Sequence, residues 1–344
     1  MPAMEYRRLG HTGTKVSALC LGAMTFGEAD DKSMMHQVGC DEATAFAIMD
    51  RAQAAGINFI DTANVYGQDG LSERVVGKWM KERSTRDQIV LATKFRFTMG
   101  KAQNTSGGSR LHIMRAVDES LRRLQTDRID LYQIHMQDLD TPEEETLRAL
   151  DDLVTQGKIV YLGASNYAAY RLVDSLWTSR EQKRAKFVTL QALYNLITRE
   201  LELELVPACA QHGLGILPWS PLAGGFLSGK FRKGQPAPEG SRLTKWTAAR
   251  ERFGTERNYA VIETLVEVAQ RIDATPAQVA LAWLVKRPHV TAPIIGARSL
   301  SQLDDNLRAL DLTLDADTTK KLDEVSALAL PYPQDFISRL TGRW

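Results

Sequence analysis

Short apolar runs rich in β-branched residues alternate along the chain with longer segments whose apolar positions recur every three or four residues. The runs are LCLG (19–22), INFID (57–61), QIVLATK (88–94), IDLYQIH (129–135), KIVYLGAS (158–165), FVTLQ (187–191), LGILPWS (214–220) and TAPIIG (291–296). Between them lie helical patterns such as DEATAFAIMDRAQAAG, LSERVVGKWMKER, LHIMRAVDESLRRLQ and ELELELVPACAQHG, several opened by Asp, Ser or Thr and closed by Gly, the residues that punctuate helix ends. Strand and helix in this rhythm predict a parallel sheet with helices outside it. Eight runs predict that the sheet closes, so the fold class is α/β, a (β/α)8 TIM barrel.

Three segments depart from the rhythm. The opening EYRRLGHTGTKVS sets a Thr-Gly turn between two short extended pieces and predicts a hairpin capping the bottom of the barrel. Residues 221–257 are rich in Gly, Pro and charge and longer than an ordinary loop, which predicts a functional segment. DADTTKKLDEVSALAL predicts an extra C-terminal helix, and the aromatics of the tail PYPQDFISRLTGRW predict a segment laid across another part of the molecule.

Composition narrows the picture a little. A chain of 344 residues, 44% hydrophobic, can bury one large core and is expected to form one domain over residues 1–344. A formal net charge of +1 without long Lys or Arg blocks points away from nucleic acid and from anionic membranes. No window approaches the ~18 apolar residues of a membrane helix, and the start lacks a signal-peptide pattern, so a cytoplasmic protein is expected. Cys20, Cys40 and Cys209 show no CxxC or Cys/His pairing, which predicts reduced thiols and no metal site.

The chemistry lies at the ends of the apolar runs. Asp61 follows INFI, Tyr66 comes five residues later, Lys94 follows IVLAT, and His135 follows IDLYQI. A parallel barrel delivers catalytic groups in this way, at the carboxyl ends of its strands. Singly, each residue has an ordinary structural reading: Asp61 as a turn cap, Tyr66 as a loop aromatic, His135 as a bonded interior histidine. Lys94 is odder, because a strand-end lysine inside a barrel needs a counter-charge, and Asp61 is the nearest available one. Together they form a proton-donating set. A lysine cation eases the ionisation of a neighbouring phenol, an aspartate holds the lysine charged, and an imidazole orients a carbonyl.

The ordered stretches GINFIDTANVYG, LATKF, DLYQIH, GASNY and IIGARSLSQLDDN resemble the aldo-keto reductase superfamily over nearly the whole chain. The resemblance implies reduction of small carbonyl substrates by hydride transfer from NADPH, with Asp61, Tyr66, Lys94 and His135 as the catalytic set and Tyr66 as general acid. It implies that NADP(H) stretches across the top of the barrel. Ser165, Asn166 and Gln191 match carboxamide contacts, and Trp219 matches the aromatic stacked on nicotinamide, a position where tyrosine is common. Gly22, Met24, Asp61, Ser220, Pro221, Leu222 and Gly225 complete that half, and Phe26 and Phe95 join Tyr66 and His135 as expected substrate contacts. No GxGxxG follows a strand, which argues against a doubly wound dehydrogenase.

GGFLSGKF (224–231) nearly spells a P-loop, but Phe231 stands where Ser or Thr must hold magnesium. Lys230 instead matches a family lysine near the pyrophosphate, and Arg242 an adenine-stacking position. GARSLSQLDDN occupies the last strand-to-helix junction, where backbone N–H groups attract phosphate. There Arg298 offers a guanidinium to a ribose 2′-phosphate, with Gly296, Gln302, Asp305 and Asn306 as further expected contacts. Two other readings share the barrel: a cofactor-binding regulatory subunit resembling potassium-channel β subunits, and an NAD-dependent sugar or polyol dehydrogenase. Arg298 is the feature that disfavours the latter.

Overall fold

The computed structural model describes residues 4–31, 36–236 and 241–340. Strands β1 (Tyr6–Arg8) and β2 (Lys15–Ser17) pair antiparallel. They precede β3 (Cys20–Gly22), β4 (Phe59–Asp61), β5 (Val90–Phe95), β6 (Ile129–Ile134), β7 (Ile159–Ser165), β8 (Phe187–Leu193), β9 (Gly215–Trp219) and β10 (Ile294–Ile295). These eight lie parallel in the order β10-β3-β4-β5-β6-β7-β8-β9. The ring closes where Ile216 N–H bonds His289 O at 2.9 Å and Thr291 N–H bonds Ile216 O at 2.8 Å. The structure is thus the eight-stranded α/β barrel that the alternation predicts.

Helices α1 (Glu42–Ala54), α2 (Leu71–Arg83), α3 (Arg110–Leu124), α4 (Glu143–Thr155), α5 (Ala169–Glu181) and α6 (Leu205–His212) follow successive strands. After β9 come α7 (Arg242–Lys245), α8 (Thr247–Phe253), α9 (Glu256–Arg271) and α10 (Pro276–Val285). After β10 come α11 (Leu300–Leu307), α12 (Ala316–Val325) and α13 (Gln334–Leu340). The polar residues before these helices act as caps. Asp41, Ser109 and Ser299 each accept a backbone N–H of the first turn, and Thr275 forms a capping box with Gln278.

Strand alternation sorts the core. Outward positions pack against the helices, whereas Phe59, Ala92, Leu131 and Leu217 point into the barrel and meet Leu9 and Val16 of the hairpin, both fully buried. The hairpin therefore plugs the amino-terminal end of the barrel, and the functional side chains occupy the other end.

Some boundaries differ from expectation. The final strand covers only part of 291–296, because Thr291 bonds across to β9 and Pro293 has no N–H to give to a ladder. ELELEL does not begin a helix. Its alternation lacks a helical period, so Glu200–Glu202 forms a 3-10 turn, with Glu202 held by Arg199 and Tyr194, and α6 starts at Leu205. In the tail, Tyr332 and Phe336 are exposed at 82% and 52%, Gln334 Nε2 donates to Glu204 Oε1 at 3.3 Å, and 341–344 fall outside the described residues. Among the described residues no helix is long and apolar enough to cross a membrane.

Candidate active site

Moving two residues along each strand from the barrel's apolar layer leads from Phe59 to Asp61, Ala92 to Lys94, Leu131 to Gln133 and Leu217 to Trp219. The period of two that fills the lower barrel with apolar groups thus places polar ones above it. Lys94, fully buried, donates from Nζ to Asp61 Oδ2 at 2.5 Å, to Thr62 O at 2.9 Å and to Tyr66 Oη at 3.2 Å. The other carboxylate oxygen, Asp61 Oδ1, accepts from Gln191 Nε2 at 2.9 Å and from Gln133 Nε2 at 3.0 Å. A buried ion pair is tolerable only with its remaining lone pairs and protons satisfied, and here both partners have further bonds. Gly163 makes room for this, since a Cβ there would lie 2.7 Å from Thr189 Oγ1 and 2.8 Å from Gln133 Cγ.

His135 stands across from this cluster, its ring edge-on to Tyr66 with centroids 5.6 Å apart and tilted against Phe97 at 4.6 Å. Burial, reinforced by the Lys94 and Arg96 cations, pushes the imidazole down to about 2, so His135 is neutral throughout the ordinary pH range. Burial pushes the Tyr66 phenol up, and Lys94 opposes that shift without overcoming it. Lys94 thus acts on the phenol in the expected direction, while desolvation of the phenolate outweighs it. Burial works against the Lys94 cation too, but Asp61 and Tyr66 together raise it, so it stays charged. The site can therefore present a neutral phenol, a neutral imidazole and a fixed cation to one point.

A cavity of about 860 Å³ opens from Tyr66, His135 and Phe97, passes Trp219 and Gln191, and ends at Arg298, just before α11, and at Gln302 and Asn306 on that helix. That volume suits a cofactor-sized ligand. Gly22, Met24, Asn166, Ser220, Pro221, Leu222, Gly225, Lys230, Gly296 and Asp305 also line it. At Gly225 and Gly296 an added Cβ would meet no atom within 4 Å, so backbone lies open to the cavity there. At α11, Ser299 caps the helix, Arg298 N–H bonds Gln302 Oε1 at 2.9 Å, and Asp305 is held by Gln278 Nε2 at 2.6 Å. This end carries helix N–H groups and a guanidinium suited to phosphate, and the other carries the flat indole of Trp219. Both features fit an extended nicotinamide dinucleotide.

Several expected contacts are placed differently. Phe26 and Phe95 are fully buried in the core and do not line the cavity; Phe95 follows Lys94, so it faces the opposite side of β5 and stacks on Tyr132. Phe97 lines the cavity instead, because the chain turns at Arg96 with φ 113°. Ser165 is fully buried behind Asn166, whose Nδ2 it accepts at 3.0 Å, and Asn166 Oδ1 accepts the indole N–H of Trp219 at 3.1 Å. Arg242 begins α7, but its side chain lies outside the described residues, as do residues 237–240 of the long loop. Sequence reasoning missed Gln133. Its signal was its place between Leu131 and His135 on one face of β6. It also missed Trp246, a cavity residue on the long loop that packs with Met24 against Ala29 and Val38.

Residues 18–327 match the aldo/keto reductase family. The chain is 39% identical over 330 residues to "Uncharacterized oxidoreductase YrpG" of Bacillus subtilis, covering 94% of this chain and 96% of that protein. It is 34% identical over 343 residues to "Norsolorinic acid reductase" of Aspergillus flavus, covering 97% and 84%. It is also 35% identical over 332 residues to a protein of Schizosaccharomyces pombe named "Putative voltage-gated potassium channel subunit beta", covering 94% and 93%.

Proposed function

The chain belongs to the aldo/keto reductase family, and from that premise we propose that it reduces aldehydes or ketones to alcohols with NADPH, using Tyr66 as the general acid. The observation that carries this reading is the buried chain from Asp61 through Lys94 to Tyr66 at one end of a cavity whose other end holds Arg298 on a helix start.

Nicotinamide, when bound, supplies the hydride. The protein's part is to manage the negative charge that grows on the carbonyl oxygen. His135, neutral, donates a hydrogen bond to that oxygen and sets its approach. Tyr66 gives up its hydroxyl proton to the same oxygen, and the phenolate left behind faces the Lys94 ammonium 3.2 Å away. An alkoxide is a far stronger base than a phenolate, so even a phenol raised by burial transfers its proton downhill. Asp61 keeps Lys94 charged, and Gln133 and Gln191 fix the carboxylate. Trp219 offers a stacking face, Asn166 and Gln191 offer amides to a carboxamide, and Lys230 and Arg298 balance phosphate charge. The aromatic faces of Phe97 and Trp219 favour flat substrates.

Tyr66→Phe tests the assignment. Cofactor binding, read by fluorescence quenching, should persist while NADPH oxidation with every accepted aldehyde falls about 10²-fold or more. Near-normal turnover would overturn it. The channel-subunit relative favours a second reading, a regulatory subunit that binds cofactor and acts by docking; it predicts tight cofactor binding with no steady turnover across an aldehyde and ketone panel.

A further inference from the structure

A neutral imidazole carries one proton, and the reading of His135 as donor to the substrate requires that proton on the nitrogen facing the cavity. The His135 ring lines the cavity, while its Nδ1 is buried without a hydrogen-bond partner among the described residues. The cavity-facing nitrogen is then Nε2. For Nε2 to donate, Nδ1 must hold a bare lone pair, and a buried lone pair is stabilised by a donor or a positive charge, not by an acceptor.

Arg96 meets that need. Its Nε is also buried and has no partner among the described residues. A guanidinium is always protonated and can only donate. Arg96 follows β5, whose end is flanked by β4 and β6, and His135 N–H bonds Phe95 O at 3.0 Å, so the two residues leave adjacent strands at the same level. The guanidinium lies 5.7 Å from the Phe97 ring centroid and the imidazole 4.6 Å from it, so both groups pack against the same ring. The backbone of Arg96, at φ 113°, is in a region that favours glycine, yet an arginine stands there, its carbonyl fixed by Gly107 N–H at 2.8 Å. Strain of this kind persists where surrounding contacts enforce it, and it marks functional positions. The facing carboxylate, Asp138, meets the tip of the guanidinium, with Nη2 3.8 Å from Oδ1, which leaves the Nε–H uncommitted.

We propose that Arg96 is a positioning residue that fixes His135 as the Nε2–H tautomer, its buried Nε–H donating toward Nδ1 through one bridging water. The inference rests on the reading of His135 as hydrogen-bond donor to the carbonyl. It adds the group that sets which nitrogen carries the proton.

Multiple-bond ¹⁵N–¹H spectra of the full-length protein labelled at its six histidines report each tautomer, with His135 assigned by its loss in His135→Gln. The parent should show a bare Nδ1 and a protonated Nε2. Arg96→Met keeps the length but removes charge and donor; its His135 signals should shift toward a protonated Nδ1, kcat should fall at least about tenfold, and the cofactor dissociation constant should not change. Arg96→Lys should restore the parent tautomer and most of kcat. A protonated Nδ1 in the parent, an unchanged His135 in Arg96→Met, or a shift produced only by altering Asn64, whose buried amide also lacks partners, would overturn the proposal. Full turnover in His135→Gln would instead remove the reading of His135 as donor, and the tautomer measurement would still decide the role of Arg96.

Discussion

Exchanging Lys94 for Met probes the ion pair on which the site is built. The change removes the ammonium from Asp61 Oδ2, while Gln191 and Gln133 still donate to Oδ1. Both side chains are buried, Lys94 at 0% and Asp61 at 3% exposure, so solvent cannot replace the lost partner. Breaking one side of a buried pair costs roughly 3–5 kcal/mol, and the two retained amides place this case near the lower figure. In the double variant Asp61→Asn with Lys94→Met no carboxylate is left without its cation, and the asparagine oxygen can keep both amide bonds. The double variant should therefore be more stable than Lys94→Met alone by roughly 1–3 kcal/mol, with a coupling energy of about 2 kcal/mol or more. Urea denaturation of the parent, both single variants and the double, followed by tryptophan fluorescence and circular dichroism together, measures this directly. Additive destabilisation within about 0.5 kcal/mol would mean that the pair is not energetically coupled and that Lys94 is held by its other bonds.

Other expectations follow from the same geometry. Arg298→Ala should weaken NADPH binding about tenfold to a hundredfold, the loss of a charge-assisted contact, and leave NADH almost untouched; equal losses for both cofactors would make Arg298 only a helix-start residue. His135 is held far below the value it has in the unfolded chain, so below about pH 6.5 the unfolded state gains a proton that the folded state does not. Stability that is complete above that point is lost as the pH falls toward about 2. His135→Gln should reduce the acid-side slope of stability by about 1.4 kcal/mol per pH unit between roughly pH 6 and 5, and an unchanged slope would contradict a buried neutral imidazole. Gly163→Ala inserts a methyl group against Thr189 and Gln133; it should cost about 1–3 kcal/mol and lower turnover by moving Gln133 from Asp61, and a stable, fully active variant would refute the packing argument.

The sequence carried the barrel and the strand-end residues Asp61, Lys94 and His135 because both depend on local pattern: a period of two along each strand, and a polar residue where an apolar run stops. Asp61, Lys94 and Tyr66 meet as their spacing implies. What was not legible depends on groups from distant parts of the chain. Gln133 reaches Asp61 only because Gly163, on the next strand, has no side chain. Phe95 was expected in the pocket for its aromatic character, but its parity with Lys94 sends it outward, and the turn at Arg96 brings in Phe97 instead. The pairing of Trp219 with Asn166 joins residues 53 positions apart, a relation that no local window contains.

The plug at the base of the barrel sets an order on synthesis. Leu9 and Val16 are made before any strand of the barrel, yet they rest against Leu217 and Ala292, and Arg7 Nη1 donates to Val285 O at 2.8 Å and Val290 O at 3.2 Å. While the chain emerges, the hairpin has no finished floor to occupy. It must wait beside the ribosome until the eighth strand is out, and its docking coincides with closure of the ring. A segment made before the barrel is thus later to settle than the strands that follow it, and a nascent protein halted before residue 285 would still display Leu9 and Val16 to whatever chaperone attends it.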